Sequence, residues 1–495
     1  MELWTVLLIL LLSLVMLVYV GVRLLTYNHD LFKRLGIDSP PTSIFGHFHL
    51  GVKFGVFQSQ VEMYSQYKNK KVFGWFNFTI PAIVVCDLDL VKAVVAGHFS
   101  KFVDRSATIE YEPPFRDILL NLKGEHWKRV RAIVSPTFTS GRIKKMAPHI
   151  ERNVKNLLEY LRQKQESGEE IELKETSGQF ALDVIASIAF GLKVDSLKDP
   201  KNKFAVEAGK VVKPNLLLVP LFLLFPRLRG LFSRLGLSIM AKKPMAYLVE
   251  TLDAAIEERK RDGTEGHIND FLDLMMIAEK ENDTKEREPL TRSEIHAQSL
   301  IFIFAGLESM STVMSFTLFL LAAHPDCRQR AQDELDEILG DETPDYETVQ
   351  GLHYLEMCIN EAIRMVPPGF VLDRKCVEST DIDGVHFPKD MIVMIPVYAI
   401  HHDPDLWPDP HTFTPERFTE ENKRSRHPYA FLPFGQGPRN CIGMRLAMLE
   451  LKLALATILQ HFTPVTSAKT VYPFKLYKSI PRAVDGAWVK IVARK

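Results

Sequence analysis

Hydrophobic and polar positions fall into distinct regimes along the chain. From Leu3 to Val22 the sequence is almost wholly apolar for about twenty residues, enough to cross a bilayer core of roughly 30 Å. A cleaved signal peptide has an apolar region of only about 7–15 residues, and no A-x-A site follows here. The pattern therefore predicts an uncleaved membrane anchor over residues 1–27. Residues 28–50, with Ser39-Pro40-Pro41, read as a stiff hinge linker to a catalytic body over 51–495. In that body Lys71–Phe78 and Ala82–Cys86, rich in β-branched and aromatic residues, predict strands. Further strand-like pieces are Ile392–Val397 and the alternating Trp488–Val492. Between Leu122 and about Gln460 helical periodicity dominates. No internal repeat appears, so the fold class is mainly α with a minor β part (α+β), as one unit.

Thr291-Arg292-Ser293-Glu294 has the form of a capping box. Helical sequence then runs to His324-Pro325, about 33 residues or roughly 50 Å at a rise of 1.5 Å. It is apolar nearly all round from Ala297 to Ala323, so it lies within protein or within lipid. Glu308 at mid-span would cost about 2.5–3.5 kcal/mol in a bilayer, which favours a buried helix through a large domain. Ala305-Gly306 lets a flat or diatomic ligand near the backbone, and Glu308 with Ser309 can pass protons into a dry pocket. A kink around a satisfied buried acid is the competing reading. A second apolar run, Leu216–Phe225, is broken by Pro220, closed by Pro226 and followed by Arg227, Arg229 and Arg234. Too short to span, it is either an interfacial segment or part of the core.

Charge and cysteine usage narrow the function. With 61 Lys plus Arg against 61 Asp plus Glu, no global field draws a polyanion, so no nucleic-acid partner is expected. Five cysteines without CxxC spacing provide neither a disulfide framework nor a zinc site. Only Cys441 has telling neighbours, in Phe434-Gly-Gln-Gly437-Pro-Arg439-Asn-Cys441-Ile-Gly443. Asn440 replaces the third glycine of a dinucleotide fingerprint, and no βαβ unit frames the loop. A helix from Ile442 onward would aim its amides at the sulfur and stabilise a thiolate. Such a loop suits a soft metal ligand.

This segment resembles F-x-x-G-x-R-x-C-x-G, the haem-binding signature of the cytochrome P450 family. Glu361-Ala-Ile-Arg364 resembles its E-x-x-R, Pro415-Glu416-Arg417-Phe418 its P-E-R-F, and Trp127-Lys-Arg-Val-Arg131 its W-x-x-x-R. Ala305-Gly306-Leu-Glu308-Ser309 resembles the oxygen-binding A-G-x-E-T. The likeness covers essentially the whole chain. Ser135-Pro-Thr-Phe-Thr-Ser-Gly141 and Ile301-Phe-Ile-Phe-Ala-Gly306 point to the microsomal drug- and steroid-oxidising clan that includes thromboxane synthase.

The resemblance implies a P450 fold with one long central helix over haem b, and Cys441 as axial ligand of the iron. It implies that Arg105, Trp127, Arg131, Arg374 and Arg439 hold the propionates, with Ala305, Phe434 and Gly443 also against the haem. Glu361, Arg364 and Arg417 should form a buried charge network, and Glu308 and Ser309 should deliver protons. Substrate should meet Phe304, Ala305, Ser309, Phe370, Val371 and Ile480, a mostly apolar set. The implied activity inserts one oxygen atom from dioxygen into lipophilic substrates: xenobiotics, steroids or fatty-acid derivatives. No flavin or nicotinamide fingerprint is present, so electrons should come from NADPH-cytochrome P450 reductase, with cytochrome b5 as a further candidate partner. Lys128, Arg129 and Arg445 are candidate docking charges or simply a solvated face.

Glu2 before the apolar span and Arg23, Lys33 and Arg34 after it put the body on the cytoplasmic face, here of the endoplasmic reticulum membrane. The sequons at Asn77 and Asn282 would then face cytosol. The family's usual Thr is Ser309 here, followed by Met310; the hydroxyl is kept and a methyl lost. One alternative is a haem-thiolate isomerase that rearranges a lipid endoperoxide, against which Ser309 argues. The other is a non-catalytic haem binder.

Overall fold

The computed structural model describes residues 2–106, 111–211, 213, 215, 217–225, 228–261, 270–280 and 288–494. Leu216, Pro226, Arg227 and the sequon at Asn282 lie outside the described residues.

The apolar N-terminal segment is one helix, Glu2–Thr26, whose window Trp4–Thr26 has 0% of its residues buried against the rest of the protein. A bare apolar helix of this length fits a membrane anchor. The following stretch is packed rather than loose. Phe32 is buried edge-on to Phe76, with ring centroids 4.9 Å apart. Its seat depends on Gly74, where a Cβ would come within 2.2 Å of the Phe32 ring. His47 is buried too, its Nδ1 accepting from the Phe76 amide at 2.8 Å.

Residues far apart in sequence meet in a four-stranded sheet. Val72–Asn77 runs antiparallel to Ile80–Val85, which pairs in parallel with Ile392–Ile395; Leu372–Lys375 closes the far edge antiparallel. Val84 aligns with Met394 and Arg374 with Val393. A second sheet pairs Trp488–Ala493 with Glu170–Glu172 and Phe462–Val465. The expected strand positions are thus occupied, with ends shifted by a residue or two.

The central helix runs Arg292–Ala323 for 32 residues and opens on a complete capping box between Thr291 and Glu294. It stops before Pro325, which starts the next helix, Pro325–Leu339. From Met310 to Ala322 every residue is buried, so the helix lies within protein. Leu173–Ala189 crosses it closely because Gly178 meets Ser311, and Gly306 meets Ile185. The helix after the cysteine loop begins at Met444 with Gly443 as its N-cap, later than the expected Ile442. Two glycines and a proline upstream hold the chain in turns, which delays the helical register.

The second apolar run divides its side chains. Phe222, in the short helix Val219–Leu224, packs with Phe232 and Ile239 in a small core of its own. Leu217, Phe225, Leu228, Leu231 and Leu235 stay exposed.

Candidate active site

The cysteine loop is shaped by backbone requirements. Gly435 and Gly437 hold left-handed φ values of +68° and +76°. A Cβ on Gly437 would sit 1.9 Å from the Val95 carbonyl oxygen, so only glycine fits. The Cys441 amide donates to the Phe434 carbonyl at 2.8 Å and the Asn440 amide to that of Gly437 at 3.0 Å. Cys441 is therefore surrounded by protein yet open to an internal cavity, its accessible surface facing inward. Burial pushes its thiol up; the Gly443 amide, Arg131 and Arg105 pull the other way.

The cavity has a volume of about 390 Å³. Its walls include Phe434, Arg439, Cys441 and Gly443 from the loop, Ala305 and Ser309 from the central helix, and Trp127, Arg131, Arg105 and Val371. Much of the remaining lining is aliphatic or aromatic, including Leu119, Ile185, Ile301 and Phe302. The sequence reading missed those four, since apolar core positions and apolar pocket positions carry the same pattern.

Around this space the guanidiniums are poorly neutralised. Arg439 donates through Nε to the Val103 carbonyl and through Nη2 to that of Leu122, at 2.8 and 2.7 Å; Nη1 finds no partner among the described residues. Its plane covers Trp127, with a centroid distance of 4.2 Å. Arg374 is buried, donates to the Asp373 carbonyl at 2.8 Å and leaves Nε without a partner among the described residues. It does not itself line the cavity. Burial and then repulsion by Arg105 push Arg374 down to about 10 and Arg439 down to about 9. Arg131 donates to Asn440 at 3.0 Å. Two carboxylates lie near, but Asp104 is 3.8 Å from Arg439 and accepts from the Gly124 amide, and Asp373 accepts from that of Ser106. Four guanidiniums with two engaged carboxylates need further anions.

Away from the cavity the expected charge network is complete in itself. Glu361 and Arg364 are wholly buried and paired through two hydrogen bonds of 2.7 and 2.8 Å. Glu361 also accepts from the Thr414 amide at 3.0 Å and from Arg417 at 3.3 Å. Arg364 donates its remaining fork to the His401 carbonyl at 2.9 Å.

On the central helix the two expected proton carriers part company. Ser309 faces the cavity and donates to the carbonyls of Ala305 and Gly306. Glu308 does not line the cavity; its side chain is 54% exposed and pairs with Lys174 at 2.8 Å. Neighbouring residues on a helix cannot share a face. Of the expected substrate contacts, Ala305, Ser309 and Val371 reach the cavity. The others do not line it here. Phe304 packs at a tilt against Phe115 with ring centroids 4.2 Å apart, and Phe370 packs against Phe57 at 5.0 Å. Ile480 sits in the C-terminal stretch with 40% of its surface exposed. The cavity also gains an unexpected acid, Glu450, buried and pushed up to about 8 by burial. Its signal was visible: one acid within the apolar Leu446–Leu459.

Haem fits what these residues offer. Among the described residues no three His, Cys, Asp or Glu side chains cluster as metal ligands, so Cys441 suits a metal that brings its other ligands along. Two carboxylates on the same group answer the unpartnered guanidinium donors, and the apolar walls accept a flat ring.

Residues 38–481 match the family model described as Cytochrome P450. Cytochrome P450 3A1 of Rattus norvegicus is 41% identical over 462 residues, 91% of this chain and 90% of that protein. Cytochrome P450 3A11 of Mus musculus is 40% identical, covering 96% of this chain and 93% of its own length. Cytochrome P450 3A7 of Homo sapiens is 37% identical, with 95% and 92% covered. With that match spanning most of its length, the chain belongs to the cytochrome P450 family, the haem-thiolate monooxygenases.

Proposed function

We propose that Cys441 would hold the haem iron through its thiolate and that the enzyme hydroxylates bulky lipophilic compounds, xenobiotics and steroids foremost. The observation that carries this reading is a cysteine opening onto an apolar cavity beside buried guanidiniums, Arg439 and Arg374, that each keep an N–H without a hydrogen-bond partner among the described residues. Arg105, Arg131, Arg374 and Arg439 would bind the two propionates, and Trp127 and Phe434 would flank the ring. Bound haem supplies the activation of dioxygen, aided by electron donation from its thiolate. One oxygen atom enters a substrate C–H bond; the other leaves as water with two protons and the two electrons of NADPH.

The chain's own share is orientation, dryness and proton supply. Ala305 and Gly306 leave room beside the helix backbone for a small ligand. Ser309 moves a proton at Oγ, exchanging its bond to the Ala305 carbonyl for one into the cavity. Glu308 feeds that hydroxyl from the solvent side. Ile301, Phe302 and Val371 exclude water and give substrate an apolar seat. Glu361, Arg364 and Arg417 hold the scaffold behind the loop.

The anchor takes residues 1–27 and the catalytic body lies on the cytoplasmic face of the endoplasmic reticulum. Exposed Leu217, Phe225, Leu228, Leu231 and Leu235 support a body resting on lipid. Redox partners are NADPH-cytochrome P450 reductase and cytochrome b5. The test reconstitutes the protein in lipid with the reductase and a panel of lipophilic probes. Oxygenated products that require NADPH and fall to background in Cys441→Ser are expected. Rearrangement of an added lipid endoperoxide without any NADPH-dependent oxidation would overturn the reading.

A further inference from the structure

Lys174 occupies a position that local helix physics disfavours. It stands in the first turn of Leu173–Ala189, where the field of the helix N-terminus opposes a cation. Its side chain is only 10% exposed, and burial lowers its pKa against the pull of Glu308, with Arg482 adding to the fall and Glu172 opposing it. A residue chosen to stabilise this helix would be acidic.

The compensation comes from one turn of the central helix. The Lys174 ammonium lies 2.8 Å from Glu308 Oε1, 3.1 Å from the Glu308 carbonyl oxygen, 2.8 Å from Ser311 Oγ and 2.6 Å from Thr312 Oγ1. The three N–H groups of the ammonium are shared among these four acceptors. Ser311 and Thr312 give their hydroxyl hydrogens to the Glu308 carbonyl, at 3.1 and 2.8 Å. Their lone pairs are then free to accept from the ammonium. A surface ion pair fixes one carboxylate; Lys174 fixes the carboxylate, the backbone carbonyl of the same residue and the hydroxyls that cap it.

The same face of the crossing helix sets the distance. Gly178, one turn beyond Lys174, brings Ser311 close, and Ile185 further along reaches the cavity beside Gly306. The cavity wall and the Glu308 clamp are thus two ends of one helix crossing. Ser309, next to Glu308, faces the cavity while Glu308 faces the clamp.

We propose that Lys174 is a positioning residue for Glu308: it fixes the acid on the outer side of the central helix and so sets where protons enter towards Ser309. This rests on the reading of Glu308 as a proton carrier. The clamp also accounts for Glu308 lying outside the cavity wall.

The test uses the full chain in lipid with its reductase, as parent, Lys174→Gln, Lys174→Arg, Glu308→Ala and the Lys174→Gln/Glu308→Ala pair. A first readout needs no turnover: reductive methylation with labelled formaldehyde, followed lysine by lysine by mass spectrometry. Lys174 should react slowly in the parent and about tenfold faster in Glu308→Ala, the weight of a hydrogen bond to a charged group. An unchanged rate would show that the clamp does not exist in solution and would overturn the proposal. The second readout is product formed per NADPH consumed. Lys174→Gln should lower it as Glu308→Ala does, the pair should be no worse than either, and Lys174→Arg should recover most of it. Low coupling in Glu308→Ala with parent coupling in Lys174→Gln would overturn the role of Lys174 and leave Glu308 standing. Additive losses in the pair would also overturn it. Parent coupling in Glu308→Ala would instead remove the proton-carrier reading beneath it.

Discussion

Two sets of buried arginines lie in this molecule, and they are treated oppositely. Arg364 has every arm directed: two bonds to Glu361, one to the His401 carbonyl, with Arg417 completing the acid's coordination. Arg374 and Arg439 each keep an N–H without a partner among the described residues, and Arg105 repels both. The first set is finished by the chain itself. The second is left open, and we propose that a group bringing its own carboxylates completes it, so that one set is architecture and the other a binding site. The distinction is invisible in residue type and resides in the partner inventory.

Breaking the finished set should have the largest effect. Arg364→Ala strands Glu361 in a dry interior and should lower unfolding free energy by about 3–5 kcal/mol, with or without haem, measured by denaturant titration. Arg374→Met should behave in the reverse sense. Removal of a repelled cation with an orphan donor should raise the stability of haem-free protein by about 1 kcal/mol. Haem affinity should fall about tenfold or more, as expected for a lost hydrogen bond to a charged group. A variant that loses stability as well would place Arg374 among the architectural arginines.

Glu450 sharpens the contrast from the anionic side, as a buried carboxyl whose Oε1 has no partner among the described residues. Burial raises its pKa to about 8, so the folded chain holds this proton in a range where the unfolded chain has released it. Folded protein then binds more protons, and stability falls as pH rises from about 5 to about 8. Glu450→Gln should remove that slope, matching the parent near pH 5 and exceeding it by about 1 kcal/mol or more near pH 8, by thermal or denaturant melts.

Features with fixed local spacing are legible in the sequence. The capping box at Thr291–Glu294 is geometry within one turn, and the helix follows from it. Glu361 and Arg364, at i and i+3, meet because a helix brings them together. Features that depend on how distant elements cross were not legible. Nothing around Lys174 announces that Glu308, on another helix, will receive it. Nothing around Phe370 announces its contact with Phe57, from a helix far earlier in the chain. Nothing within residues 28–50 announces Gly74, on a neighbouring strand, which makes the seat that buries Phe32.

The central claim is that the unfinished arginines wait for the carboxylates of haem. Its most direct test is titration of haem-free protein with haem and with haem dimethyl ester, followed by absorbance, in the parent and in Arg374→Met. The parent should bind haem far more tightly than the ester, and the variant should lose much of that preference. Equal affinity for the two in the parent would contradict the account and leave those guanidiniums without their assigned role.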